Sequence, residues 1–159
     1  MRNLLVAAAL VLAACSSSAP SAPKQKANIP DPDFEIRQLA GAAEANYPDG
    51  PLEVKYRLDI GNRADVPITL ARVEIITVNP QGGAYNLDPS HRSYYFKKPI
   101  EPHQTVSIEF WAKAISYGPD NRRLNEPVTV RGTLYFESAS GYLRHVFIKE
   151  LGQYPGQND

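Results

Sequence analysis

An antiparallel two-sheet β-sandwich of about seven strands is the fold this sequence predicts, and three observations predict it. Apolar and polar residues alternate with period two in stretch after stretch. No stretch beyond the leader sustains an apolar repeat of 3.6 residues. Clusters of Gly, Pro, Asn and Asp punctuate the alternating stretches. A small closed barrel is the alternative, and the long, unequal connections favour the sandwich. There is no internal repeat, and the roughly 120 residues left after the N-terminal segments suit one domain and not two.

The chain opens on a short basic start, Met1-Arg2-Asn3, followed by an unbroken apolar run from Leu4 to Ala14 and then Cys15. Such a run is too short to cross a bilayer core, which takes roughly 20 helical residues, but has the layout of a secretory signal. Leu12-Ala13-Ala14-Cys15 resembles the lipobox of bacterial lipoproteins, and Cys15 is the sole cysteine of the chain. The resemblance covers the first fifteen residues. It implies cleavage after Ala14 and acylation of Cys15 with more than one chain, such as palmitate, giving a durable anchor. Ser16, in place of aspartate, implies sorting to the outer membrane, with the domain in the periplasm. The alternatives are an ordinary signal peptide cut after Ala14, or a free thiol in a cytosolic protein. A lone thiol in an oxidising compartment is a liability that acylation removes.

Residues 15–33 then form a Ser/Pro-rich tether with Pro20, Pro23, Pro30 and Pro32 and few large apolar side chains. Such a segment buries too little surface to offset its ordering entropy. Lys24 and Lys26 are read as solvated spacers, or else as contacts to acidic head groups. The expected organisation is a signal peptide over 1–14, the tether over 15–33, the sandwich over 34–154 and a tail over 155–159. Of 17 basic residues only Arg2 lies in the leader, so the mature chain carries 17 − 1 = 16 basic against 17 acidic side chains. That balance argues against nucleic-acid binding and against a polybasic membrane patch.

Phe34 to Leu39 is a weak candidate for a first strand, and the alanine-rich Leu39 to Asn46 is a short, uncapped candidate helix. "LEVKYRLDI" (52–60) is the clearest half-buried strand, with Leu52, Val54, Tyr56, Leu58 and Ile60 on one phase and four charges on the other. "ITLARVEIITV" (68–78) changes phase between Leu70 and Val73, which predicts a bulge near Ala71-Arg72. Val106, Ile108, Phe110, Ala112 and Ala114 form the inward phase of the next strand. "VTVRGTLYF" (128–136) turns Val128, Val130, Leu134 and Phe136 inward. A turn at Ser140-Gly141 leads into "YLRHVFIKEL" (142–151), completing a hairpin.

"YRLDIGNRADVPITLARVEI" (56–75), a strand, an Asn, polar residues, a Pro and a second strand, resembles a turn of immunoglobulin-like accessory domains. The desiccation-related and fibronectin-III-like modules of secreted bacterial proteins are examples. The resemblance covers about twenty residues and implies an Ig-like architecture with no activity attached.

No catalytic pattern stands out. His91, His103 and His145 lie too far apart for a local metal motif, and the chain is expected to bind no metal and no cofactor. His145, in phase with Leu143 and Phe147, reads as a partly buried strand residue. Ser138 and Ser140 lack the glycine spacing of a nucleophile elbow. "NPQGGAY" (79–85) lacks the Lys-Ser/Thr and the following helix of a phosphate loop, and reads as a turn. A non-enzyme is therefore expected. A hydrolase would require one of the three histidines to meet a carboxylate and a serine in one pocket.

Two features suit binding. The segment 79–104 reads as a long loop in which Arg92, Lys97 and Lys98 flank Tyr94, Tyr95 and Phe96, a mix that fits acidic polymers or a protein's carboxylates. The preferred reading of the same residues is an edge strand with its aromatics folded inward and its lysines discouraging edge pairing. Trp111, on the outward phase of 106–114, marks a contact patch near the outward Tyr135 unless the 115–127 loop covers it. The expected function is a membrane-anchored envelope lipoprotein acting as a non-catalytic binding or assembly module for a protein partner. The rival expectation is a binder of a glycan or lipid fragment.

Overall fold

Leu52, Val54, Tyr56, Leu58 and Ile60 are all buried along β2 (Gly50–Gly61), as the strict alternation of that stretch requires. The computed structural model describes residues 26–40, 50–78, 83–116 and 126–152. The leader with Cys15, most of the Leu39–Asn46 stretch read as a candidate helix, most of the 115–127 loop and the 155–159 tail lie outside them.

The other strands are β1 (Asp33–Ala40), β3 (Ile68–Thr77), the two-residue β4 (Asn86–Leu87), β5 (Ser93–Ile100), β6 (Thr105–Ser116), β7 (Val128–Ser138) and β8 (Gly141–Leu151). They form two antiparallel four-stranded sheets, in the order β1-β2-β6-β4 and β5-β3-β7-β8. The central pairs β2/β6 and β3/β7 belong to opposite sheets. Consecutive strands β2 and β3 therefore cross from one sheet to the other, the connection that makes a sandwich instead of a meander.

The phase change in β3 is a bulge. Its register shifts between Leu70 and Arg72 against both β5 and β7, so that Ile68, Leu70, Val73 and Ile75 are all buried. The extra residue is Ala71. Between the sheets, Phe110 contacts the rings of Tyr56, Tyr94 and Phe96, with centroids 5.6, 4.8 and 5.9 Å away. The Tyr56 and Tyr85 hydroxyls meet at 2.6 Å, and Tyr85 donates on to Gln38 at 2.8 Å. Burial pushes both phenols well above their ordinary pKa, so they stay neutral and bonded.

Asn62, buried at the end of β2, explains the motif around the β2–β3 turn. Its Nδ2 lies 2.9, 3.0 and 3.2 Å from the carbonyls of Val66, Ile100 and Glu101, and its Oδ1 accepts from the Ala64 amide at 2.9 Å. One side chain thus ties the β2–β3 turn to the β5–β6 turn, leaving no buried polar atom of that amide unpaired.

Part of the segment expected as tether lies on the sandwich. Lys26 forms a parallel bridge with Tyr142 of β8, and the Ala27 amide donates to the Tyr142 carbonyl at 2.7 Å. Ala27 and Pro32 are buried, and Ile29 packs on the core. The chain then crosses to the other sheet, where Asp33 begins β1 opposite Gly61.

Candidate binding face

The segment 79–104 is not one long loop. Beyond Gly83 it holds β4, a short 3-10 turn at Pro89–His91 and β5, an edge strand. Tyr94 and Phe96 turn inward onto Phe110, while Tyr95 stands 75% exposed and Lys97 and Lys98 point to solvent. Arg92, also exposed, closes the 3-10 turn.

Tyr95 belongs to a row that runs across the whole sheet. It pairs with Arg72 of β3, Arg72 with Tyr135 of β7, and Tyr135 with Arg144 of β8. The row alternates aromatic and guanidinium side chains on the outer face. Its centre is fixed: the Arg72 guanidinium lies 4.0 Å over the Tyr135 ring and pairs with Glu74 at 3.4 Å, and the Tyr135 hydroxyl donates to the other Glu74 oxygen at 2.8 Å. At one end Tyr95 hydrogen-bonds Arg72. Among the described residues Arg144 makes no ion pair.

Beside the row the bulge leaves a shallow, open groove with Ala71 as its floor. Tyr95, Tyr142 and Glu137 stand along it, and Lys97 lies at its rim. A methyl group where the extra residue sits lets neighbouring rings form walls, which a larger side chain would fill. The same sheet face exposes Tyr142 (41%), Val146 (53%) and Ile148 (63%). With Tyr95, it carries four of the six large apolar side chains exposed among the described residues.

Trp111 lies elsewhere. It is 52% exposed, but on the outer face of the β1-β2-β6-β4 sheet, where it sits opposite Lys55, whose ammonium is 5.8 Å from its ring. Trp111 therefore does not neighbour Tyr135, as the outward phases alone suggested, nor the Tyr94–Phe96 stretch: β6 and β7 present their outward residues on opposite sides of the sandwich. The face around Trp111 is ion-paired. Asp59 accepts from Arg37 at 2.5 Å, from Arg57 at 3.1 Å and from Ser107, and Lys55 meets Glu109 at 2.7 Å. Hydrogen bonds from Ser107 and Arg37, together with Arg57, lower the Asp59 pKa to about 2.

Each histidine meets an aspartate. His103 lies 2.9 Å from Asp65, and His145, stacked edge-on against Phe34, lies 3.6 Å from Asp31. His91 meets Asp88 at 2.8 Å and Ser90 at 2.9 Å, which brings a serine, a histidine and an aspartate together. The geometry is that of a turn cap. Both partners contact Nδ1, whereas a nucleophilic relay needs the serine on one ring nitrogen and the carboxylate on the other. Asp88 caps the 3-10 turn by accepting from the Ser90 hydroxyl (2.6 Å) and amide (2.8 Å), bonds that with His91 lower its pKa to about 2. The cluster is exposed on a three-residue turn. Among the described residues no three His, Cys, Asp or Glu side chains gather to hold a metal.

No family model matches the chain, and no curated protein does. Among solved structures it is similar to a Northeast Structural Genomics Consortium target, SoR45, at 12% identity over 80% of this chain and 88% of that one, with a TM-score of 0.47. It is similar to a protein from Archaeoglobus fulgidus at 12% identity, over 74% and 91% of the chains, with a TM-score of 0.46. The putative ApaA protein of Bordetella pertussis matches at 12% identity over 81% and 98%, with a TM-score of 0.43.

Proposed function

We propose that this chain is a lipoprotein of the bacterial envelope, anchored through Cys15 in the outer membrane, whose periplasmic sandwich is a non-catalytic binding or assembly module. The observation that carries the binding role is the face of the β5-β3-β7-β8 sheet, where the exposed Tyr95 and the half-buried Tyr135 alternate with arginines beside an open groove. Tyr and Arg supply large contact area and bidentate recognition of carboxylates, the properties that concentrate affinity at protein interfaces. The grooves are shallow and the space between the sheets is filled by aromatic and aliphatic side chains, which supports a protein partner over a ligand held in the interior. Anchoring confines the face near a membrane and raises the effective concentration of any partner on the same surface.

The anchor is tested by labelling cells with a fatty-acid analogue. The wild-type chain incorporates it and Cys15→Ala does not; an unlabelled wild type overturns the anchoring. The face is tested by a photo-crosslinking residue at Tyr95, with one at Glu53 on the opposite face as control. A discrete adduct from position 95 alone is expected. Adducts equal at the two positions, or none at 95, overturn the assignment of the face.

A further inference from the structure

We infer that the free edge of β8 is a dimerisation edge, and that its partner is a second copy of this chain, paired antiparallel about a two-fold axis at Phe147.

The edge is long and only partly covered. β8 runs for 11 residues as the last strand of its sheet, and on the far side from β7 the one backbone hydrogen bond it makes among the described residues comes from Ala27, to the Tyr142 carbonyl. That contact shows the edge accepting a further chain. It stops after one bridge: Pro30 and Pro32 have no amide hydrogen to donate, and the chain leaves for β1. From Arg144 to Glu150 no backbone hydrogen bond is made on this side among the described residues. Because the Tyr142 carbonyl points outward, the even residues of β8 direct their amides and carbonyls to the open edge. Their side chains, Arg144, Val146, Ile148 and Glu150, lie in one line on the outer face.

That line is self-complementary. With the axis at Phe147, Arg144 falls opposite the second copy's Glu150 and Val146 opposite its Ile148. Each pair occurs twice by symmetry. Opposite charges and apolar side chains placed directly across two strands are the stabilising pairs of a sheet. Moving the axis to Val146 would set Arg144 against Ile148, and moving it to Ile148 would set Val146 against Glu150, so the other in-phase registers nearby mismatch. In the favoured register Val146 and Ile148, half or more exposed in the single chain, cover one another. Among the described residues neither Arg144 nor Glu150 has an ion-pair partner to give up. On the inner side Phe147 meets its own copy and His145, already beside Asp31, meets Lys149. Lys26 and Ala27 already occupy the edge at Tyr142, so the pairing between copies ends at Arg144 and Glu150. Two sheets would join as one of eight strands, closing the open β8 edge of each copy.

Cysteine crosslinking in the full chain reads the register. Opposed residues that exchange hydrogen bonds have Cα atoms about 5.5 Å apart, inside the roughly 4.4–6.8 Å span of a disulfide. The double variant V146C/I148C is expected to give a disulfide-linked dimer on oxidation of the envelope fraction. V146C alone places its thiols two residues out of step and is expected to stay at the wild-type background. Sedimentation of the detergent-solubilised full chain gives the second reading: R144E weakens association about tenfold or more, since it opposes two like-charged pairs, and R144E/E150R restores it. Restoration separates pairing from misfolding. A double-cysteine variant no better than background, equal crosslinking by V146C alone, or a charge swap that fails to restore association overturns the proposal.

Discussion

The two outer faces of this sandwich use their charged residues in opposite ways. On the β1-β2-β6-β4 sheet, Arg37, Arg57 and Lys55 are each joined to a carboxylate of the same face, and Asp59 collects two guanidiniums and a hydroxyl. On the β5-β3-β7-β8 sheet the Arg72–Glu74 pair sits at the centre, while among the described residues Arg144 has no ionic partner, and Tyr95, Tyr142, Val146 and Ile148 stand exposed. The difference teaches where each face spends its interactions. A face whose charges satisfy one another contributes to holding the fold and presents little for a partner to complete. A face with exposed rings and unpaired guanidiniums leaves those interactions to something outside the domain.

If that division holds, stability and binding respond to different substitutions. The largest loss of stability should come from beneath the tyrosine face and not from either surface. Gly132 is buried in β7 under the Phe147 ring, and a Cβ there would lie 2.4 Å from that ring and 2.7 Å from the Glu74 carbonyl oxygen. The ring can shift, but the carbonyl belongs to the paired backbone of β3. Gly132→Ala should therefore cost about 1–3 kcal/mol, read as a lower midpoint in urea with unchanged slope. A change under 0.5 kcal/mol would mean that the Phe147 ring and the β3 backbone yield more easily than their packing indicates.

Next in size is the ion-paired face. Asp59→Asn removes the shared acceptor of Arg37, Arg57 and Ser107 and should cost roughly 1 kcal/mol, less at high salt, because the pairs are partly exposed. The pH dependence has a definite sign. Asp59 titrates lower in the folded chain, at about 2, than its ordinary 3.8. Its contribution is thus present above pH ~4 and lost as pH falls toward ~2, the pH at which the folded carboxylate takes up its proton. Asp88 loses its capping bonds over the same range. Thermal midpoints measured from pH 5 to 2 should fall less steeply for Asp59→Asn than for the wild type. Parallel curves would remove Asp59 from the account of this face.

How much of this contrast is legible in the sequence depends on which physical fact carries it. Alternation alone places Leu52 to Ile60, Ile108 to Ala114 and Val128 to Phe136 inside, because period two is a property of a single strand. The bulge is legible for the same reason: Ile68 and Leu70 cannot share a face with Val73 and Ile75 unless one residue is added. Sheet membership is a different kind of fact. Trp111 and Tyr135 both lie on outward phases, and nothing local says that their strands face opposite ways. The row of Tyr95, Arg72, Tyr135 and Arg144 draws one residue from each of four strands, so it exists only once the registers are set. Asn62 is visible as a turn residue, but its carbonyl partners at Ile100 and Glu101 come from a distant turn. The docking of Lys26 and Ala27 on β8 is hidden by composition: the proline-rich stretch reads as tether, while one backbone bond and a buried alanine need no motif.

The smallest effects on stability should come from the tyrosine face itself, and they sharpen the contrast most. Arg72→Lys keeps the charge near Glu74 but loses the flat stacking on Tyr135, and should cost about 0.5 kcal/mol or a little more. Tyr95→Ala removes a ring that is three-quarters exposed, so its stability cost should stay within about 0.5 kcal/mol, the usual range for surface positions. If the face is where a partner docks, the same substitution takes away a large aromatic anchor, typically worth 2 kcal/mol or more, roughly thirtyfold in affinity. The measurement is a pair: the urea midpoint of the variant, and its yield of crosslinked partner from envelope extracts beside that of Asp59→Asn. The contrast requires Tyr95→Ala to leave the midpoint in place and lose the partner, and Asp59→Asn to do the reverse. Should both variants lose stability and keep the partner, the tyrosines of this face would have to be read as support for the Arg72–Glu74 pair beneath them, and the division between a holding face and a binding face would fail.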